Sequence, residues 1–496
     1  MKYIIGLVAF FLVTTTISAN NLKITAESYS ENRYLTVSVN WEDSWKYTEK
    51  PPYNHNAVWI FVKYREANRA WQHLKLSSDA TDFELPDEAV LETVDDGVGV
   101  FLKRAEKGAG NFELSEVVLA FNEKLPTAGH DFRVFGIEMV WIPEGEFFLG
   151  DGVSKNSFQL GTTGVPFLID DNSSITTGNN SGELNTIDDY LPEGDIPETF
   201  PNGYEGFYLM RHSITQEQYK DFLNTLTYNQ QDGRTVSSPG DLPGTPALSS
   251  ESGEARNNIA IKEPAGNGRS AVYEMTSDGQ NFATSDDGRH RACNFLKWDD
   301  LAAYLDWAGL RPFTAFEYEK AARGPEEPVA GEFAWGTPHA VNTLNALDDG
   351  TGFEQAEELA NDSAGLTLHG YDGVRGTLRP GFAGSGTTGR IATGSSYYGV
   401  LGLSGNLWEQ VVISNETGLN FKAEHGTGML DENGNSTIEN WPVSGGDGAG
   451  FRGGGWNSGV FPPGNFRDLA VSDRFYGFSP PEQRRNTSGG RGARSK

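Results

Sequence analysis

The chain has 496 residues and a formal net charge of −29, with an isoelectric point near 4.6. An acidic surface lacks the basic stripe that phosphate backbones require, which argues against nucleic acid as a partner. The length allows more than one domain, and the single cysteine, Cys293, excludes an internal disulfide.

The first residues are typical of an export signal. Lys2 precedes the apolar run 4–13, and small and polar residues follow as far as Ala19. The run is about half the roughly 20 residues that a membrane-spanning helix needs. We therefore expect cleavage after Ala19, a mature chain that begins at Asn20 and does not span the membrane, and a secreted, periplasmic or cell-surface location. A retained signal anchor is the alternative.

Residues 20–135 alternate apolar and polar side chains in short runs separated by turn-forming residues, such as 34–39, 57–64, 97–103 and 117–121. Alternation with period two is typical of half-buried strands, and several such runs predict a β-sandwich. We place the boundary near Gly136, which predicts a second domain over 136–496.

The second domain is rich in glycine and polar residues, and three helices are predicted in it. One begins at Thr215, one runs from about Asp299, and one begins at Thr314, where Glu317 completes a capping box. Two long polar stretches, 151–202 and 227–290, are interpreted as surface insertions that form loops.

An ordered set of short motifs runs from Met139 to the end of the chain. It consists of MVWIPEGEFFLG from Met139, GFYLMRHSITQEQY from Gly206, LRPFTAFEYEKAARG from Leu310, GNLWE from Gly405 and RGGGW from Arg452. Each motif alone is weak, but their order resembles the formylglycine-generating enzyme, or sulfatase-modifying factor, superfamily. The resemblance implies an α+β fold of the C-type-lectin kind, with little regular secondary structure and with bound calcium.

The resemblance also implies where catalysis would occur. Active members use two cysteines and a copper ion, and alignment places Pro463 and Asp468 at the two cysteine positions. Neither residue supplies the thiolate that soft metal ligation and redox cycling need. Cys293 lies far upstream and is expected to be a small buried residue. We therefore expect no copper, no catalytic residues and no enzyme activity.

Two calcium sites are implied by the same resemblance. The first consists of Asn342, Asp372 and the carbonyl oxygens of Thr343 and Val374, and oxygen ligands of this kind suit calcium. The alternative is that Asn342 and Asp372 only form Asx turns.

The second implied site consists of the carbonyl oxygens of Gly405 and Leu407 and the Glu409 carboxylate. Gly402 stands where the family supplies a further side-chain ligand. That substitution weakens the prediction for the second site.

A groove that houses the chemistry in active relatives is expected to serve here for binding, because aromatic and arginine side chains are frequent at binding hot spots. Core packing is an equal alternative for the tryptophan among them. The groove is predicted to be bordered by Trp456, Phe461, Phe466, Arg467, Asp468, Arg474 and Tyr476.

These observations favour a non-catalytic binding or structural protein outside the inner membrane, whose partner is an extracellular or envelope protein or a glycan. A formylglycine-generating oxidase is the first alternative, which the missing cysteine pair opposes. A diversity-generating variable binding protein is the second. The carboxy-terminal segment is not rich in asparagine, which opposes that interpretation.

Overall fold

The computed structural model describes residues 17–19, 22–31, 33–66, 69–125, 130–187, 191, 194–358, 363–370, 373–383, 389–443, 445–459 and 466–496. Its architecture is α+β with few helices, as expected. The apolar run 4–13 lies outside the described residues. Within the part that the structure describes, no helix is long and apolar enough to cross a membrane.

The amino-terminal region is built from strands β1 to β9, which lie in chain order at Ile17–Ala19, Leu22–Ser30, Tyr34–Lys46, Asn56–Glu66, Gln72–Leu74, Ala89–Thr93, Val100–Arg104, Gly108–Ala120 and His130–Ile142. One sheet has the order β1-β2-β3-β8, and the other strands belong to a seven-stranded sheet. Alternate residues of β2, β3 and β8 bury apolar side chains against those of β4, β7 and β9, so that the two sheets share a core.

The carboxy-terminal region contributes many short strands, β10 to β25, at Phe147–Leu149, Phe158–Leu160, Phe167–Ile169, Ile175–Thr177, Leu184–Thr186, Gly194–Ile196, Phe207–Met210, Ile259–Glu263, Val272–Met275, Ala340–Asn342, Ala346–Leu347, Gln355–Ala356, Gly365–Thr367, Glu409–Val412, Ala449–Arg452 and Ala493–Ser495. Its helices, α1 to α5, lie at Gln216–Leu223, Tyr228–Arg234, Trp298–Trp307, Ala315–Arg323 and Arg390–Thr393.

Strand β9 joins the two regions. It pairs with β4 from His130 to Val140 and with β16 from Met139 to Ile142, which gives the sheet order β25-β16-β9-β4-β7-β6 with β5 beside β4. The boundary predicted near Gly136 therefore falls inside a strand, because the apolar pattern of β9 continues past it without a turn.

Side chains of β4 also cross to the carboxy-terminal helices. The Trp59 indole donates to the carbonyl of Ala308 at 2.8 Å, and the Lys63 ammonium donates to the carbonyl of Trp307 at 2.7 Å. Phe61 stacks edge-on against the Trp307 ring. The amino-terminal strands are thus packed on the second region rather than joined to it by a linker.

All three predicted helices are present. Thr215 caps α1 and Thr314 caps α4, and each forms a full capping box with the residue three positions later. Helix α3 begins at Trp298, one residue before the predicted start.

The two stretches interpreted as loops contain regular structure. Residues 151–202 form a four-stranded sheet in the order β11-β14-β13-β15, and residues 227–290 contain α2 and the β17–β18 pair. The strands β11 to β15 have three residues each. A run of that length is too short to show a period in the sequence.

Candidate functional site

A cavity of about 260 Å³ opens near the carboxy terminus; we call it the carboxy-terminal cleft. Three segments converge on it: the GNLWE motif, the residues on either side of the RGGGW motif, and the segment 468–488 near the end of the chain. Its lining residues are Trp408, Phe451, Asn457, Ser458, Gly459, Asp468, Tyr476, Arg485, Thr487 and Ser488. Aromatic rings with a few polar groups are typical of small-ligand and peptide sites.

The walls of the cleft are set by the antiparallel pair β23 and β24. Gly450 lies in β24, where an added Cβ would stand 1.7 Å from the Gly477 carbonyl oxygen, so only glycine permits this approach. Trp408 directly precedes β23, and its amide donates to the Thr487 carbonyl at 2.9 Å. These contacts bring the end of the chain against the GNLWE segment.

The aromatic side chains of the cleft contact one another edge to face. The Trp408 and Tyr476 ring centroids are 5.2 Å apart at 75°, and Phe475 packs at 90° on Tyr476. The Arg485 guanidinium lies 5.7 Å from the Phe451 ring. Partly exposed rings of this kind can pack on apolar surfaces or sugar rings while neighbouring groups form hydrogen bonds.

Two carboxyl groups lie in the segment that forms one side of the cleft. Burial raises the pKa of Asp468, and the Arg467 guanidinium, 3.4 Å away, opposes that shift. Burial raises the pKa of Asp473 to about 6. One Asp473 oxygen accepts from the Phe475 amide at 3.0 Å, and the other has no partner among the described residues. Both groups can exchange protons, but neither can cycle redox states.

The structure places the predicted groove residues in different surroundings. Asp468 and Tyr476 line the cleft, while the Phe466 ring packs against His369 with a centroid distance of 3.8 Å. Arg467 lies over the Phe475 ring at 4.3 Å. Trp456 is buried, and its indole donates to the Asn486 carbonyl at 2.8 Å, so core packing is its role. Phe461 and Pro463 lie outside the described residues.

Arg474 does not belong to the cleft. Its side chain is 1% exposed and stacks on Phe158 at 3.7 Å, and one guanidinium nitrogen donates to the Asn156 carbonyl at 3.2 Å. Burial lowers its pKa to about 9. Arg474 therefore anchors the first insertion, a contact that no local sequence signal indicates.

Several cleft residues were not predicted from the sequence. Trp408 stands within the GNLWE motif, so its aromatic side chain offered a usable signal. Arg485, Thr487 and Ser488 come from the polar tail. Only long-range pairing of the tail with β16 and Trp408 brings them to the cleft.

The sole thiol is sealed in the core. Cys293 is fully buried, and burial raises the pKa of its thiol well above the ordinary value. Its sulfur lies 3.7 Å from the Asn294 carbonyl oxygen. A buried thiol of raised pKa carries almost no thiolate, so this group is unreactive.

The two halves of the first predicted calcium site lie side by side. An added Cβ at Gly373 would stand 2.4 Å from the Leu344 carbonyl oxygen, so the segment before Val374 contacts the segment after Thr343. The Asn342 side-chain oxygen accepts from the His369 amide at 3.0 Å, which is a long-range bond across 27 positions rather than an Asx turn. Asp372 lies outside the described residues. Amide and carbonyl oxygens are ligand types that calcium takes, and calcium at this site stays a prediction.

At the second predicted calcium site, an arginine meets one oxygen of the Glu409 carboxylate. Two Arg491 nitrogens donate to this oxygen at 2.8 and 2.5 Å, and Ser213 donates to it at 2.9 Å. Arg491 also donates to the Leu401 and Gly402 carbonyls at 2.9 and 3.3 Å. The other Glu409 oxygen has no hydrogen-bond partner among the described residues, and calcium at this site stays a prediction.

Metal-binding side chains do not otherwise cluster in the described ranges, where no group of three or more histidine, cysteine, aspartate or glutamate residues could hold an ion.

The sulfatase-modifying factor enzyme 1-like domain matches residues 131–496. The chain belongs to this family. The match begins inside β9, so the family domain includes the strand that joins the two regions.

A curated member of the sulfatase-modifying factor family is similar to this chain. The formylglycine-generating enzyme of Thermomonospora curvata is 26% identical over 233 residues, which is 44% of this chain and 65% of that enzyme. The chain thus matches slightly less than two thirds of that relative's length.

Proposed function

We propose that this member of the family is a non-catalytic binding or structural protein that acts outside the inner membrane. The proposal is supported by the lack of a reactive thiol among the described residues. Asp468 lines the cleft where the resemblance places a cysteine, and Cys293 is buried in the core. The alternative is the activity named for the Thermomonospora curvata relative, and it requires a reactive thiol.

The ligand class follows from the lining of the cleft. Trp408 and Tyr476 offer aromatic faces, and Asn457, Ser458 and Thr487 offer amide and hydroxyl groups. This mixture suits an envelope protein segment or a glycan, both of which present apolar surface beside hydrogen-bonding groups. The apolar amino-terminal run and Ala19 support export, and the acidic charge gives no support to nucleic acid as a ligand.

The first test concerns catalysis. Purified protein, incubated with copper and a peptide that carries a sulfatase-type cysteine, should yield no formylglycine by mass spectrometry. The reason is that Asp468 cannot supply a thiolate and Cys293 cannot reach a substrate. An active formylglycine-generating enzyme is the positive control, and product aldehyde formed by this chain would contradict the proposal.

We further propose that calcium binds at the first predicted site, through Asn342, Asp372 and the carbonyl oxygens of Thr343 and Val374. A cation there would join two loops that no disulfide holds. A ligand that binds only the folded state raises the free energy of unfolding by about 2.7 kcal/mol when its concentration is a hundred times its Kd.

The calcium proposal predicts a melting temperature that rises with calcium and falls with chelator. The response of Asp372→Asn should shift to higher calcium concentration, because one charge is lost. Glu409→Gln should show the wild-type calcium response, because its partner is Arg491. An unchanged response in Asp372→Asn would show that the loop residues only form turns.

A further inference from the structure

A second groove, of about 1280 Å³, lies on the amino-terminal strands; we call it the β8 edge groove. One wall is strand β8, and the other is the segment 84–88 that leads into β6. The carboxy-terminal cleft shares none of its lining residues.

The groove follows the backbone edge of β8. This strand ends the sheet β1-β2-β3-β8, and the six consecutive residues 111–116 all line the groove. Successive side chains of a strand point to opposite faces, so a consecutive run indicates the strand edge, and the groove also extends over Thr36 of β3 and Ser28 of β2. The walls meet at Val118, whose amide donates to the Glu84 carbonyl at 2.9 Å.

Part of this edge is already covered. Arg104 donates to the carbonyls of Gly110 and Asn111 at 2.8 and 3.2 Å. Within the described residues, no strand pairs with the outer side of 112–116. Five residues at about 3.4 Å each span about 17 Å, and a bulge at Glu116, whose φ is 58°, bends the end of this edge, so it can add only one short strand.

The charge around the groove is predominantly negative. Seven carboxylates line the groove, namely Glu27, Glu84, Asp87, Glu88, Glu106, Glu113 and Glu116, against the two cations Arg104 and Lys107. Lys107 is paired with Glu49 at 2.5 Å, and Arg104 is used by the two carbonyls. Charged side chains on a strand edge repel strands that carry the same charge. An acidic edge can therefore pair with a basic strand.

We propose that the β8 edge groove binds an extended lysine- or arginine-rich segment of a partner protein, which pairs as an added strand with residues 112–116. Main-chain hydrogen bonds would supply affinity, and the carboxylates would select the charge of the partner. A second copy of this chain fits poorly, because each copy carries a net charge of −29. The proposal depends neither on the cleft nor on the absence of catalysis.

The test uses the full chain and a ten-residue peptide of alternating lysine and valine, with a glutamate–valine peptide as control. The basic peptide should bind, its Kd should rise at 0.5 M salt because exposed charges are screened, and hydrogen exchange should slow at the amides of 112–116. Failure to bind, or binding without slower exchange there, would overturn the proposal.

Matched variants separate this groove from general charge attraction. Glu113→Gln with Glu116→Gln should weaken binding about fivefold, the effect of two exposed ion pairs. Glu251→Gln with Glu327→Gln removes two exposed charges outside the groove and should leave the Kd unchanged. Both pairs lie on the surface, so melting temperatures should stay at the wild-type value. Equal losses in the two double variants would also overturn the proposal.

Discussion

Replacing Arg491 with leucine should lower the free energy of unfolding by about 3–5 kcal/mol, measured by urea denaturation. Arg491 and Glu409 are both 0% exposed, and the two guanidinium bonds neutralise the carboxylate. Without the arginine, Glu409 keeps a buried charge, and the carbonyls of Leu401 and Gly402 lose their donor. Removal of one partner from a buried pair is costly for this reason.

The matched control is Arg467→Leu, because that arginine is 40% exposed and its partner Asp468 lies at the cleft. Its cost should stay within about 0.5 kcal/mol, the usual range for a surface position. Glu409→Gln should cost less than Arg491→Leu, since the arginine keeps its carbonyl acceptors. A wild-type stability for Arg491→Leu would show that Glu409 has another partner.

The local parts of the fold could be predicted from the sequence. Thr215 and Thr314 each precede a helix with a capping side chain three positions later, so the information lies within four residues. The short apolar runs of the amino-terminal region likewise predict strands, because alternation shows within a single run. The family motifs supplied the α+β class in the same way.

The long-range parts could not be predicted in this way. The continuation of β9 into both regions depends on pairing with β4 and β16, whose paired residues are 64 to 84 positions away along the chain. Arg491 meets Glu409 across 82 positions, and a single sequence carries no sign of such a partner. The resemblance suggested calcium at Glu409 because the family motif contains the ligand positions. The motif does not show that Arg491 contacts the same carboxylate.

The residues around the cleft show what the resemblance could predict and what it could not. Asp468 and Tyr476 line the cleft, and the resemblance had placed Asp468 at a cysteine position. Arg474 lies only two positions before Tyr476, yet it points into the core, where Phe158 of the first insertion covers it. The sequence analysis interpreted the insertion as loops, so it predicted no buried partner for the Arg474 side chain.

Acid should destabilise this protein at a pH above that of ordinary carboxylate titration. Six of the eight histidines are buried or half-buried and have lowered pKa values, mainly because burial disfavours their charged form. They are His55 and His212, whose pKa falls to about 3, His290 and His369, whose pKa falls to about 4, and His73 and His425, whose pKa falls well below the ordinary value.

The sign follows from proton linkage. The unfolded chain binds protons at these rings below pH 6.5 while the folded chain does not, so stability is lost as the pH falls from 6.5 towards 3–4. Buried carboxyls oppose this loss. Burial raises the pKa of Glu217 to about 8 and that of Asp473 to about 6, and it also raises the pKa of Glu138, Glu332 and Asp468. These carboxyls bind protons in the folded state first, so they add stability as the pH falls.

The six rings outnumber these carboxyls, so the free energy of unfolding should fall by about 1–4 kcal/mol between pH 6.5 and 5.5. Urea denaturation at several pH values measures the slope. His212→Asn removes one buried ring, which donates to the Ser213 carbonyl at 2.9 Å, and should reduce the fall by about 1 kcal/mol. His339→Asn, at an exposed ring, should not reduce it, and a stability that is flat from pH 6.5 to 5.5 would show that the buried rings take up protons without unfolding.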